Sequence, residues 1–306
     1  MGGFNMDIQT IPSFKAVSGD SVPGTISMSP GGVARNISEN CSRLGLNCSL
    51  FSPYGDDNPG AVLLKETSLS GVNTNNCLCF EGEKSCSYSA FIDETGEMLY
   101  GVNEMSLMDR MTPELMISHK ETLEQFDHMV IDANLPSQTI RFLQKTYSHK
   151  ILLVDPVSAV KIVRLKNSIN SIKTIKPNII EAKEFSGLRI DDENDYYKVM
   201  QSFIDEGILS VFLSAGSQGI YYSDGKIRGR MPPVPVKIKS VTGAGDAASS
   251  ALVLSVILNL NMIESAFLAN LAAASSLLCS QSINKELSIP FLSNLCREYQ
   301  YESELS

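Results

Sequence analysis

From residue 128 onward, apolar runs of strand length alternate with stretches of helical period. Residues 128–132 read as a strand, 137–147 as a helix and 150–155 as a strand. Thr174-Ile175-Lys176-Pro177-Asn178 then leads to a helix through Phe185, and 209–213 read as a further strand. Such alternation predicts a parallel sheet with helices on both faces, an α/β fold. Residues 220–223 and 226–230 flank Asp224-Gly225 and read as a hairpin. Ligands of such sheets bind beyond the carboxyl ends of the strands. Asp132, Asn134, Asp155 and Ser214 fall at those ends, as does Asp7 nearer the start.

The first hundred residues have a different rhythm. In Met1-Gly2-Gly3-Phe4-Asn5-Met6-Asp7-Ile8, alternation puts Asn5 and Asp7 on one strand face. No apolar run precedes Gly2-Gly3. Residues 11–28 are rich in Ser, Gly and Pro and read as short extended pieces. Pro30-Gly31-Gly32-Val33-Ala34-Arg35-Asn36 opens a helix through Leu44, closed by Gly45. Residues 58–69 read as a second helix. Residues 77–81, 86–93 and 97–102 are short alternating segments, with a hairpin turn at Glu94-Thr95-Gly96-Glu97. They predict a small β element apart from the main sheet. Thr112-Pro113-Glu114 has the cap and proline of a helix start.

Ser240-Val241-Thr242-Gly243-Ala244-Gly245-Asp246 precedes a long apolar helix pattern. Small residues let backbone N–H groups approach a ligand closely. At a helix start those groups lack intrahelical partners and the dipole is positive, which suits phosphate. Asp246 would repel that anion unless it takes a proton from an attacking hydroxyl. The plainer alternative is a tight turn with Asp246 as an N-cap.

Composition excludes several classes. The net charge of −9 argues against a nucleic-acid polymer as partner. The longest uncharged run, between Asp246 and Glu264, is too short and too polar for a membrane span. The seven cysteines form no C-x-x-C and histidine is scarce, so zinc is not expected. Reduced thiols in the cytoplasm are the simplest reading.

Four elements, in order, resemble the PfkB family of carbohydrate kinases. Pro30-Gly31-Gly32-Val33-Ala34-Arg35-Asn36 is similar to its N-terminal signature, and Val241-Thr242-Gly243-Ala244-Gly245-Asp246 to its C-terminal one. Lys176-Pro177-Asn178-Ile179-Ile180-Glu181 resembles its N-x-x-E element, and Leu213-Ser214-Ala215-Gly216-Ser217-Gln218-Gly219 its nucleotide loop. The resemblance implies a ribokinase-like three-layer α/β/α sandwich with a mostly parallel central sheet. It implies one domain over residues 1–306, with a small β lid from about 8–28 and 77–103.

The resemblance also implies roles. Asp246 would be the catalytic base, with Gly243, Ala244 and Gly245 as the anion hole. Asn178 and Glu181 would position Mg²⁺, largely through water; three apart, they share a helix face. Ser214, Gly216 and Gly219 would hold ATP, with Asn270 near the adenine. Asn5, Asp7, Gly31, Gly32 and Asn36 would bind sugar hydroxyls, with Asn103 and Asp132 as further substrate contacts. The lid would cover a nucleoside or sugar and offer a homodimer contact. Ser240 stands where many members carry Asp, which leaves monovalent-cation binding open, and Ser214 replaces a common Thr.

Thr95-Gly96-Glu97-Met98-Leu99, Asn103-Glu104-Met105 and Val154-Asp155-Pro156-Val157-Ser158-Ala159 are most similar to members that phosphorylate pseudouridine. The implied reaction is phosphoryl transfer from ATP to its 5′-hydroxyl. Ribose, another pentose, an N-nucleoside and a non-catalytic binding role stay open.

Overall fold

The computed structural model describes residues 1–17, 19–95 and 97–305. Strand β1 (Asn5–Pro12) turns back as β2 (Gly24–Gly31), and α1 (Val33–Arg43) follows at once. Then come β3 (Pro53–Gly55), α2 (Asn58–Leu69), β4 (Leu78–Phe80), β5 (Ser87–Ile92) and β6 (Met98–Glu104). Short helices α3 (Pro113–Ser118) and α4 (Lys120–Glu124) lead to β7 (Met129–Asp132), α5 (Ser137–Tyr147), β8 (Ile151–Asp155) and α6 (Ala159–Ile162). The second half holds β9 (Thr174–Ile175), α7 (Ile179–Ser186), α8 (Glu193–Asp205), β10 (Ser210–Ser214), β11 (Ile220–Ser223) and β12 (Arg228–Met231). It ends with α9 (Ala244–Ile257), α10 (Met262–Leu277) and α11 (Ile289–Leu305).

The central sheet has the order β12-β11-β10-β9-β8-β7. β7 to β10 run parallel, while β11 and β12 are antiparallel. Strand alternation divides its side chains between two cores. Val211, Leu213 and Tyr221 join the core under α5, α7 and α8. Phe212, Ile220 and Tyr222 pack against Ala248, Leu252 and Ala269 of α9 and α10. The result is the α/β/α sandwich that the sequence implies. No helix of the described residues is long and apolar enough to cross a membrane.

A second sheet stands apart, in the order β2-β1-β5-β6. β1 is antiparallel to β2 and parallel to β5, and β5 is antiparallel to β6. Of residues 11–28, expected as short extended pieces, 11–12 and 24–28 complete a hairpin with Ile11 opposite Thr25. Leu78–Phe80 does not join this sheet; β4 pairs with β3 instead. The turn expected at Glu94-Thr95-Gly96-Glu97 includes Gly96, which lies outside the described residues.

Several helices start where side chains satisfy their free amides. Asp57 caps α2 by accepting from the Gly60 N–H. Asp192 with Asp195 and Asn261 with Glu264 form capping boxes on α8 and α10. Helix α9 has no side-chain cap; its N-cap is Gly243, at φ 82°. Its first-turn N–H groups therefore stay open to a ligand.

Candidate active site

Asp246 lies in the first turn of α9, half-buried, directly after Gly243, Ala244 and Gly245. Its Oδ2 accepts a 2.8 Å hydrogen bond from Nδ2 of Asn36 on α1. Burial pushes its carboxyl up to about 7, and the charge of Asp155 adds to the rise. The Asn36 bond and the Lys176 ammonium hold it back. A carboxylate so poised can exchange a proton near neutral pH.

The turn before α1 is built from close approaches. Gly32 sits at φ 99°, and a Cβ there would lie 2.4 Å from the Gly3 carbonyl oxygen. That proximity lets the Arg35 N–H donate to the Gly3 oxygen. At Gly31 a Cβ would lie 2.1 Å from Oδ2 of Asp7. Asn5 donates to the other Asp7 oxygen at 2.7 Å. Burial raises the Asp7 pKa, while the Asn5 bond opposes the rise.

Register places further polar groups beside Asp7. Asp7 pairs with Ser29 on β2 and with Tyr88 on β5, and Tyr88 pairs with Asn103 on β6. Directly paired residues share a sheet face, so Ser29, Asp7, Tyr88 and Asn103 form one row. Asn103 is exposed on that row. Sequence reasoning missed Tyr88. The alternation of residues 86–93 was visible, but the β1–β5 pairing that brings Tyr88 beside Asp7 was not.

Asp132, expected as a further substrate contact, is engaged by backbone amides. Its buried carboxylate accepts from the N–H groups of Gly3 at 2.8 Å, Ala34 at 3.0 Å and Asn134 at 2.8 Å. It ties the end of β7 to both strands of chain that enter the glycine turn. Burial raises its pKa against those donors. Beside it, Asn134 accepts a hydrogen bond from Lys161 Nζ.

Asn178 and Glu181 form a capping box on α7. Asn178 Oδ1 accepts from the Glu181 N–H at 2.9 Å, and Glu181 Oε2 accepts from the Asn178 N–H at 2.8 Å. One oxygen of each is thus engaged by backbone. Glu181 is buried, which raises its pKa, while Lys176 lowers it. Among the described residues no group of three His, Cys, Asp or Glu could hold a metal. The pair fits a hydrated Mg²⁺ reached through water, because Mg²⁺ keeps several waters and takes phosphate oxygens.

Ser214 ends β10 beside this box, and its N–H donates to the Pro177 carbonyl at 2.9 Å. Gly216 and Gly219 bound the following turn, where the Ala215 N–H donates to the Gly219 carbonyl. Asn270, expected near an adenine, is engaged by backbone. Its Nδ2 donates to the carbonyls of Met231 at 3.3 Å and Pro232 at 2.8 Å. It ties α10 to the chain leaving β12.

Comparison with known proteins shows the family and the fold. Residues 2–289 match the pfkB family carbohydrate kinase family. The chain is 34% identical to the pseudouridine kinase of Escherichia coli K12 over 290 residues, 94% of this chain and 93% of that one. It is 25% identical to the ribokinase of Bacillus subtilis over 92% of each chain. The fold also matches Arabidopsis thaliana ribokinase complexed with ribose and ATP, with a TM-score of 0.84. That match covers 96% of each chain at 16% identity, so it shows the fold alone.

Proposed function

Because the chain belongs to the PfkB family of carbohydrate kinases and is a phosphotransferase with an alcohol acceptor, we propose that it phosphorylates the 5′-hydroxyl of pseudouridine from ATP. The observation that carries the chemistry is the joining of Asn36 and Asp246 at the uncapped start of α9. The support for the acceptor is the likeness to the Escherichia coli pseudouridine kinase.

Phosphoryl transfer asks a protein for positioning and charge stabilisation. Asp7, Asn5 and Asn36 bind ribosyl hydroxyls, with Asp7 in the row that the lid sheet contributes. Asp246 accepts the 5′-hydroxyl proton as that oxygen approaches the γ-phosphorus. The N–H groups of Ala244 and Gly245 face the charge on the moving group. Asn178 and Glu181 would hold the waters of Mg²⁺, which when bound would neutralise phosphate charge. The turn from Ser214 to Gly219 takes the nucleotide.

The lid carries exposed apolar residues, among them Ile26, Met28, Leu99, Tyr100 and Val102. These support a homodimer contact through the lid, which light scattering of the purified protein tests. The seven free cysteines support a reducing compartment such as the cytoplasm.

The deciding experiment compares kcat/KM for pseudouridine, uridine and ribose with ATP and Mg²⁺. Preference for ribose would overturn the nucleoside assignment. ADP release with no phosphorylated product would favour a binding role.

A further inference from the structure

Helix α1 ends in a glycine stop that folds the chain back on itself. Gly45 takes φ 91°. Its N–H donates to the Ser42 carbonyl at 2.9 Å, and the Leu46 N–H donates to the Cys41 carbonyl at 3.0 Å. Such a stop returns the following residues along the last turn of the helix. Cys48 thereby arrives beside Cys41, and the two thiols hydrogen-bond to each other.

Both thiols line a cavity of about 480 Å³ between α1, the end of α9 and the start of β7. Cys41 is buried and Cys48 half-buried, so a reagent entering from solvent meets Cys48 first. The hydrogen bond from Cys41 favours a thiolate on Cys48 and lowers its pKa, against burial. The same bond pushes the Cys41 thiol well above its ordinary range. One sulfur is thus suited to attack and the other to resolve. Cys77, by contrast, donates to the Leu50 carbonyl at 3.5 Å, and burial pushes its thiol up to about 12.

The pair is joined to the catalytic frame through α1. Asn36, which bonds Asp246, lies earlier on that helix. The Cys41 thiol also lies 3.9 Å from the Ser250 carbonyl of α9, a long sulfur contact. Asn40 adds no tie there, because both polar atoms of its buried amide lack a hydrogen-bond partner. Cys48 is held more firmly. Its carbonyl accepts from the Asn73 N–H at 2.9 Å, and Ser49 bridges to Asn73. A disulfide needs its sulfurs about 2.05 Å apart, well inside hydrogen-bond distance. The closing movement therefore falls on Cys41 and the last turn of α1.

We propose that Cys41 and Cys48 are a modification site, a dithiol that a low-molecular-weight disulfide oxidises to an intramolecular bond, and that closing it slackens the hold of Asn36 on Asp246. The Cys48 thiolate attacks one sulfur of the small disulfide, forming a mixed disulfide and releasing one thiolate. Cys41 then gives up its proton and attacks the Cys48 sulfur, releasing the second. Two electrons pass from the pair to the small disulfide, which leaves as two thiols. In reducing compartments such reversible bonds serve redox sensing. The consequence for turnover rests on the kinase reading above, whereas the bond itself does not.

The test treats the reduced full chain with oxidised glutathione, alkylates the remaining thiols and maps the peptides by mass. We expect a Cys41–Cys48 bond, reversed by dithiothreitol. In Cys41→Ser or Cys41→Ala the reaction should stop at a glutathione adduct on Cys48, and in Cys48→Ser the thiol of Cys41 should stay reduced. No such bond in the parent, or an adduct that forms on Cys41 instead, would overturn the proposal. The oxidised parent should lose at least about tenfold in kcat/KM, within the roughly 10²-fold that a 1 Å misplacement can cost. Cys48→Ser treated alike should keep its rate. Equal losses in both proteins, or none in the oxidised parent, would overturn the link to Asn36. Hydrogen exchange reads that link without an acceptor: amides of α1 and of the first turn of α9 should exchange faster once the bond forms. Unchanged exchange would overturn the link, whereas faster exchange in a protein inactive on pseudouridine would indict only the choice of acceptor.

Discussion

Asn36 and Asp246, 210 residues apart in sequence, share a 2.8 Å hydrogen bond. The bond joins the glycine turn that opens α1 to the glycine cradle that opens α9. The two turns are therefore held in one frame.

Asp246→Asn should lower kcat by at least about 10²-fold, the ordinary contribution of a general base. ADP affinity, read by calorimetry, should stay unchanged. A variant with near-normal turnover would remove Asp246 from the mechanism.

The Asn36 bond lowers the pKa of Asp246, so its loss should raise it. In the parent, kcat/KM should fall as pH drops through about 7. In Asn36→Ala that acid limb should move to higher pH, with kcat/KM reduced on the plateau as well. A pH–rate profile checks both, and an unmoved limb would uncouple the two residues.

Stability should follow the same group with the opposite sense from an ordinary salt-bridged aspartate. The folded pKa of about 7 lies above the usual 3.8, so the folded state holds the proton more tightly. Stability from this group is greatest at low pH and is lost as pH rises from about 4 to about 7. Asp246→Asn should therefore raise the melting temperature at pH 8 more than at pH 5. Equal shifts at the two values would contradict the burial argument.

Gly31→Ala places a methyl where the Asp7 carboxylate now lies. Misplacing a positioning group by about 1 Å can cost on the order of 10²-fold in kcat/KM. The loss should appear for the nucleoside, with ADP affinity retained.

Asn270→Ala separates two roles. As a tie to the Met231 and Pro232 carbonyls, its loss should cost about 1–3 kcal/mol of stability. The KM for ATP should change little. A large rise in that KM at full stability would restore the adenine contact.

Local signals carried much of the fold. Residues 58–69 and 137–147 coincide with helices α2 and α5: Asp57 caps α2 with a proline in its first turn, whereas α5 has no side-chain cap and is marked by its apolar period. Strands β7, β8 and β10 were legible as apolar runs between helices, whereas the two-residue β9 was not read. Helix α8 was not read, and residues 11–28 hid the β1–β2 hairpin behind Ser, Gly and Pro. In β2, Ile26 and Met28 alternate with small polar residues, but both faces of that stretch are exposed. The site divided the same way. Motif residues such as Asn36 and Asp246 were visible, but their contact depends on tertiary closure. Lys176 was quoted only as a neighbour of Asn178, since its burial has no sequence signature. Asn178, Glu181, Asp132 and Asn270 each use donors or acceptors on their own backbone surroundings, which residue type alone does not reveal.

The three amides gathered by Asp132 have a mechanical consequence. They clamp Gly3 and Ala34 to the tip of β7, so any tilting of the four-stranded sheet must bend the chain beyond that clamp. Asp7 would travel with the moving part, whereas Asn36 and Asp246 would stay with the stationary one. Admission of the acceptor and completion of its binding pocket would then be a single motion, hinged about Asn5.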